Sequence, residues 1–243
     1  MDIKKDILYS EKLGRDMQVS IYGHYGISVL MFPAITDNAD EYENEGTINA
    51  IEHLIKIGKC KVFVTSSIDK EIWFGGSMEP KEKSHLHFKF NQYVEDELVP
   101  YIYGNCGGPL PVITAGAGKG AYHAANSFFR RPDIFLGAIA MSGDYDLGIH
   151  TYGYFDDNCY YNSPIHYLPN LNDNYWLSFL HSRRHIYLTA GSGKGENPEN
   201  SKKLAYILTS KGIRHHFEIK DENYSHDFKS WNAILNSIIE GRL

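Results

Sequence analysis

The chain of 243 residues has only three cysteines, Cys60, Cys106 and Cys159. They make no CxxC pair and no even set, so a disulfide framework is excluded and reduced structural thiols are expected. No uninterrupted apolar run approaches the roughly 20 residues that span a bilayer, which leaves no membrane partner. The opening stretch, MDIKKDILYSEKLGRDM, lacks the apolar core of a secretory leader, and the expected address is the cytoplasm. Positive charge is in deficit: 24 Lys and Arg stand against 30 Asp and Glu, a net charge of −6, so no basic face is available for nucleic acid.

Aromatic residues, by contrast, are plentiful. Many of the 18 tyrosines and 12 phenylalanines can pack in the core or on the surface, and others can line an aromatic pocket or a partner-binding face, with a protein partner and a second copy of the chain both open. Strand-like runs fall at 17–22, 28–32, 61–66, 111–115, 136–141, 185–190 and 214–220, several of them continuously apolar, as parallel strands covered on both faces are. Helical patterns lie between them at about 43–57, 83–101, 121–129, 201–211 and 228–240. Alternation of this kind predicts a single α/β domain over residues 1–243, a doubly wound, mostly parallel sheet with helices on both faces. Residues 144–184 break the pattern. They are rich in Tyr, Asn, Asp and His, too long for an ordinary connection, and are expected to form an irregular insertion or cap near the site.

Two similar strings, TAGAGKG at Thr114 and TAGSGKG at Thr189, each follow an apolar strand, where open α/β sheets bind ligands. Neither is a nucleotide-binding P-loop. That motif needs a glycine where Ile113 and Leu188 stand, and a Ser or Thr where Gly120 and Gly195 stand. The first string instead has the form of a nucleophile elbow: strand, tight glycine turn, helix. Gly116 and Gly120 occupy the small-residue positions of GxSxG, but Gly118 fills the serine slot. Downstream come Glu196, after the penultimate strand, and His226, before the last helix, in the chain order nucleophile, acid, histidine.

The segments GAGKGAYHAANSFFRRPDIFLGAIAMSGDYDL, YYNSPIHYLPNL and SHDFKSWNAIL resemble the esterase D-like branch of the α/β-hydrolase superfamily, and the resemblance covers most of the chain from Ser28 onward. It implies an α/β-hydrolase fold with no cofactor and no metal. It also implies His226 as general base, Glu196 as its orienting acid, and the backbone N–H of Lys119 as one oxyanion donor. The second donor is expected from the loop after Phe32, at Ala34 or Ile35. Gly118 departs from the family, whose elbow residue is serine.

Competing assignments remain for several residues. Glu199 lies close enough to Glu196 to serve as the acid instead. Ser142 follows a different strand, lacks the elbow's paired glycines, and is expected to satisfy buried backbone groups rather than attack a substrate. His85 and His87 sit two apart, a spacing that points side chains to different faces of a helix and argues against a metal pair. A serine at position 118 would sit at positive φ, at a cost on the order of 1–2 kcal/mol that glycine avoids. Two functions follow. One is a non-catalytic homologue whose cleft binds a small-molecule ester, a related ligand or a protein partner. The other is a carboxylic-ester hydrolase in which serine has been replaced, or in which His226 activates water directly.

Overall fold

The computed structural model describes residues 1–74, 78–151 and 153–243. Eight strands form one sheet: β1 (Ile3–Ser10), β2 (Arg15–Tyr22), β3 (Ile27–Phe32), β4 (Cys60–Thr65), β5 (Val112–Ala117), β6 (Phe135–Met141), β7 (His185–Ala190) and β8 (His216–Ile219). Their order is β1-β2-β4-β3-β5-β6-β7-β8. The pairs β1–β2 and β2–β4 are antiparallel and all others are parallel. The apolar runs account for this split. Strands β4, β5 and β6 are buried almost end to end, as strands with helices on both faces must be, whereas β1 is mostly exposed and pairs on one side only.

The helices are α1 (Glu41–Asn44), α2 (Thr47–Ala50), α3 (Glu52–Lys56), α4 (Pro80–Tyr93), α5 (Val99–Asn105), α6 (Lys119–Arg130), α7 (Asp157–Tyr161), α8 (Pro164–Asn170), α9 (Asn174–Ser182), α10 (Pro198–Ser210) and α11 (Phe228–Arg242). One core gathers the apolar faces of α4, α5, α6 and α10 against one side of the sheet, with Phe90, Phe128 and Leu208 among its buried members. The other packs Trp231, Ile234 and Leu235 of α11 and Ile51, Leu54 and Ile55 against the opposite side. The expected doubly wound sheet, with helices on both faces, is what the chain forms. No helix among the described residues is long and apolar enough to cross a membrane.

Three features differ from the sequence expectation. The single helix expected over 43–57 is three short ones, because Gly46 turns at φ 74° between the first two. Residues 144–184 carry α7, α8 and α9 rather than irregular chain. Strand β1 went unpredicted.

The parallel register sets up the site. Phe32 pairs with Gly116, Ala117 with Met141, Met141 with Thr189, and Ala190 with Ile219. The carboxyl ends of β3, β5, β6 and β7 therefore finish level, and the loops after them converge. The chain's progress across the sheet reverses between β3 and β5, and a crevice opens at such a switch point.

Candidate active site

Gly118 joins β5 to α6 at φ 52°, ψ −117°, a conformation strained for any residue with a side chain. Its flanking glycines are required by contact. A Cβ on Gly116 would lie 2.2 Å from the carbonyl carbon of Gly120, and one on Gly120 would lie 2.1 Å from the Phe32 oxygen. Strand and helix thus meet as closely as backbone allows, and the turn between them stands out at the end of the sheet.

The turn forms one wall of a cleft of about 320 Å³, lined also by Ala34, Asp69, Lys119, Ser142 and His226. A Cβ on Gly118 would be 3.6 Å from Nε2 of His226, so a hydroxyl one bond further out would be within reach of that nitrogen. On the far side of the ring, Nδ1 of His226 is 3.7 Å from Oε2 of Glu196, whose side chain is 1% exposed. The indole of Trp231 meets the His226 ring edge-to-face, with centroids 4.8 Å apart. The structure thus brings Gly118, His226 and Glu196 together. Glu199 points elsewhere: its carboxylate is 70% exposed and accepts a hydrogen bond from Lys202 at 2.5 Å.

Ser142, which has the sole positive φ of a non-glycine residue among those described, at 55°, is part of this arrangement. Its hydroxyl donates to Oε1 of Glu196 at 2.7 Å and accepts from the Trp231 indole N–H at 3.1 Å. The sequence expectation that Ser142 satisfies buried groups is corrected in its object. The groups are a carboxylate and an indole, not backbone, and the hydroxyl fixes the acid beside the histidine.

The loop after β3 does not behave as expected. Both oxygens of the buried Glu41 carboxylate accept backbone N–H donors from it: Oε2 from Ala34 and, at 3.4 Å, from Ile35, and Oε1 from Ile35 at 3.1 Å and Thr36 at 2.5 Å. The amides of Ala34 and Ile35, expected to face the cleft as a second oxyanion donor, are turned onto Glu41. What faces Gly118 is the Ala34 carbonyl oxygen, 3.3 Å from the position of a Cβ. Beside the elbow this loop thus presents an acceptor, while its Ala34 and Ile35 amides are engaged by Glu41. Lys119 opens α6, two residues ahead of the helix expected from the sequence, so its N–H belongs to the first turn, whose amides have no partner within the helix.

A second polar cluster, unread in the sequence, lies under the cleft. Asp69 accepts from Nε2 of the buried His123 at 2.9 and 3.0 Å, and His87 stacks on His123 with ring centroids 5.6 Å apart. Burial pushes the Asp69 carboxyl up, but the charge and hydrogen bond of His123, helped by Lys119 and His87, outweigh it and hold its pKa at about 2. Burial lowers the pKa of the Lys119 ammonium, against the pull of Asp69 and Asp37. His87 contacts the Tyr122 hydroxyl at 3.0 Å, and is a core histidine, as its spacing from His85 suggested. Among the described residues no group of three or more His, Cys, Asp or Glu side chains could hold a metal ion.

No family profile matches the chain, and no curated protein matches it in sequence. Solved structures do. A ferulic acid esterase superposes with a TM-score of 0.74 at 16% identity, over 98% of this chain and 95% of that one. An S-formylglutathione hydrolase from Agrobacterium tumefaciens gives 0.71 at 11% identity, over 97% and 91%. A ferulic acid esterase from the anaerobic fungus Anaeromyces mucronatus gives 0.68 at 14% identity, over 99% and 90%. At such identities the likeness is one of fold, and it extends over nearly the whole chain. The chain has the α/β-hydrolase fold of these esterases.

Proposed function

We propose that the protein is an esterase homologue that binds a ligand in its cleft without forming an acyl-enzyme. The observation that carries this is the residue at the elbow. Gly118 offers no hydroxyl or thiol, yet His226 and Glu196 are set as if to activate one. A histidine and acid with nothing to deprotonate leave only the residual acceleration of binding and electrostatics. Glu41 weakens even that, since it engages the amides of Ala34 and Ile35. The ligand class suggested by the fold neighbours is a carboxylic ester or the acid derived from one. The experiment is labelling with a fluorophosphonate, together with p-nitrophenyl acetate hydrolysis. The expected result is no labelling, and turnover equal to that of His226→Ala. Stoichiometric labelling of any serine would overturn the proposal.

The paired His226 and Glu196 favour a second reading, in which the histidine activates water directly. It predicts slow hydrolysis without labelling, abolished in His226→Ala.

A further inference from the structure

A second and larger cavity, of about 570 Å³, opens on another part of the surface, between the C-terminal end of α6 and helices α7 to α9. Arg130 in its wall lies eight residues along α6 from Tyr122 of the first cleft, about 12 Å at 1.5 Å per residue. Its surfaces are mainly aromatic: Phe129, Tyr160, Tyr161, Tyr167 and Trp176. Tyr160 and Tyr161 stand edge-to-face, their centroids 5.0 Å apart, so the two adjacent rings present nearly perpendicular planes. Tyr161 is 58% exposed, so its ring is open to a ligand entering the cavity.

Polar groups at the cavity narrow the kind of ligand. Tyr167 is nine-tenths buried, and its hydroxyl has no hydrogen-bond partner, which is costly unless something else supplies one. Burial pushes the Tyr167 pKa well up, so the group is a neutral donor. Asn170, Asn172 and Asp173 add amide and carboxylate groups. The Asn170 amide donates to the Tyr160 hydroxyl at 3.0 Å, tying an amide to a ring. Charges of both signs stand at the cavity, the Lys211 ammonium among them, which donates to the Leu171 carbonyl at 3.0 Å and to Oδ1 of Asn172 at 3.4 Å, so no ion of one sign is favoured. A cation would face the Arg130 guanidinium, which bonds the Tyr161 carbonyl at 3.3 Å and Oδ1 of Asn162 at 3.1 Å. An anion would face Asp173, with Glu95 already 3.7 Å from Arg130 Nε. A neutral molecule remains, with flat apolar C–H faces for the rings and hydroxyls around its edge for amides, carboxylate and phenol. That is the chemistry of a sugar ring.

We propose that this cavity is a saccharide-binding site, separate from the cleft at Gly118, in which Tyr161 and Trp176 stack on sugar faces and Tyr167, Asn170 and Asp173 bond hydroxyls. The test is isothermal calorimetry of the full chain with maltohexaose, cellohexaose and xylohexaose, alongside tetramethylammonium and 4-hydroxybenzoate as charged probes. At least one hexasaccharide binds with a Kd in the millimolar range or tighter. Trp176→Ala and Tyr161→Ala each weaken that binding at least tenfold, while Tyr206→Ala on α10 and His226→Ala in the cleft leave it unchanged. Should Trp176→Ala not fold, Tyr161→Ala alone decides, since that ring is largely exposed. Three results would overturn the proposal: no hexasaccharide binds, only a charged probe binds, or binding survives both aromatic substitutions but is lost in His226→Ala.

Discussion

Gly118 is confined by two separate constraints, a left-handed backbone and the Ala34 carbonyl, and a serine there must satisfy both. The backbone costs on the order of 1–2 kcal/mol for a residue with a Cβ. The carbonyl, 3.3 Å from that Cβ, must yield by a few tenths of an ångström. Gly118→Ser is therefore expected to fold with a modest loss of stability and to be labelled slowly by a fluorophosphonate, with labelling lost when His226→Ala is added. Turnover is another matter, because one missing oxyanion donor costs about 100- to 1,000-fold in kcat. Combining Gly118→Ser with Glu41→Ala, which releases the Ala34 and Ile35 amides, is expected to raise kcat for p-nitrophenyl acetate at least tenfold over Gly118→Ser alone. Equal kcat in the two variants would show that Glu41 has no bearing on the oxyanion. That Gly118, Glu196 and His226 come together was legible in the sequence, because order and local motif mark them. Glu41 was not: its role depends on which way three amides of a neighbouring loop turn, and no spacing rule encodes that. Glu196 and Glu199 could be told apart only by burial.

At the scale of elements, the strand-turn-helix unit of β5 and α6 is held by the contacts its glycines permit. Gly120→Ala places a methyl 2.1 Å from one carbonyl oxygen and 2.8 Å from the next, both backbone, so the helix must move off β3. A loss of about 3 kcal/mol or more is expected from overpacking that cannot relax through a side chain. Gly104→Ala is the counterpart. That glycine lies in helix α5 with nothing within 4 Å of an added Cβ, and the change is expected to stabilise by about 0.5–1 kcal/mol. Urea denaturation of both variants measures the contrast, and the same sign for both would contradict it. Elements with strong apolar runs were read from sequence to within a residue or two, and β7 to the residue. Strand β1 was missed because its Lys4, Lys5 and Asp6 suit an exposed, one-sided edge, which lacks the apolar signal of a buried strand.

Across the whole molecule, stability depends on pH through at least one buried charge, Asp69. Its carboxyl is depressed to about 2 in the folded state against about 3.9 unfolded, so the folded chain releases this proton more readily than the unfolded one. The stabilisation is complete above about pH 4 and is lost as pH falls through about 2. Asp69→Asn is expected to unfold at lower urea than the wild type at pH 6, with the difference shrinking steadily towards pH 2. A difference independent of pH would rule out the Asp69 carboxylate charge as its source. The doubly wound architecture was legible from alternating strands and helices, whereas this buried pair was not, because Asp69 and His123 are 54 residues apart and meet only when the sheet is assembled. The carboxylate of Glu41, lodged against three amides beside the elbow, ties two residues into one requirement. A serine placed at position 118 is expected to bring little activity while that loop stays as it is, and releasing the loop is expected to bring none without the serine. Each step alone is expected to add almost nothing, so catalysis through a serine at this elbow is expected to need both changes together.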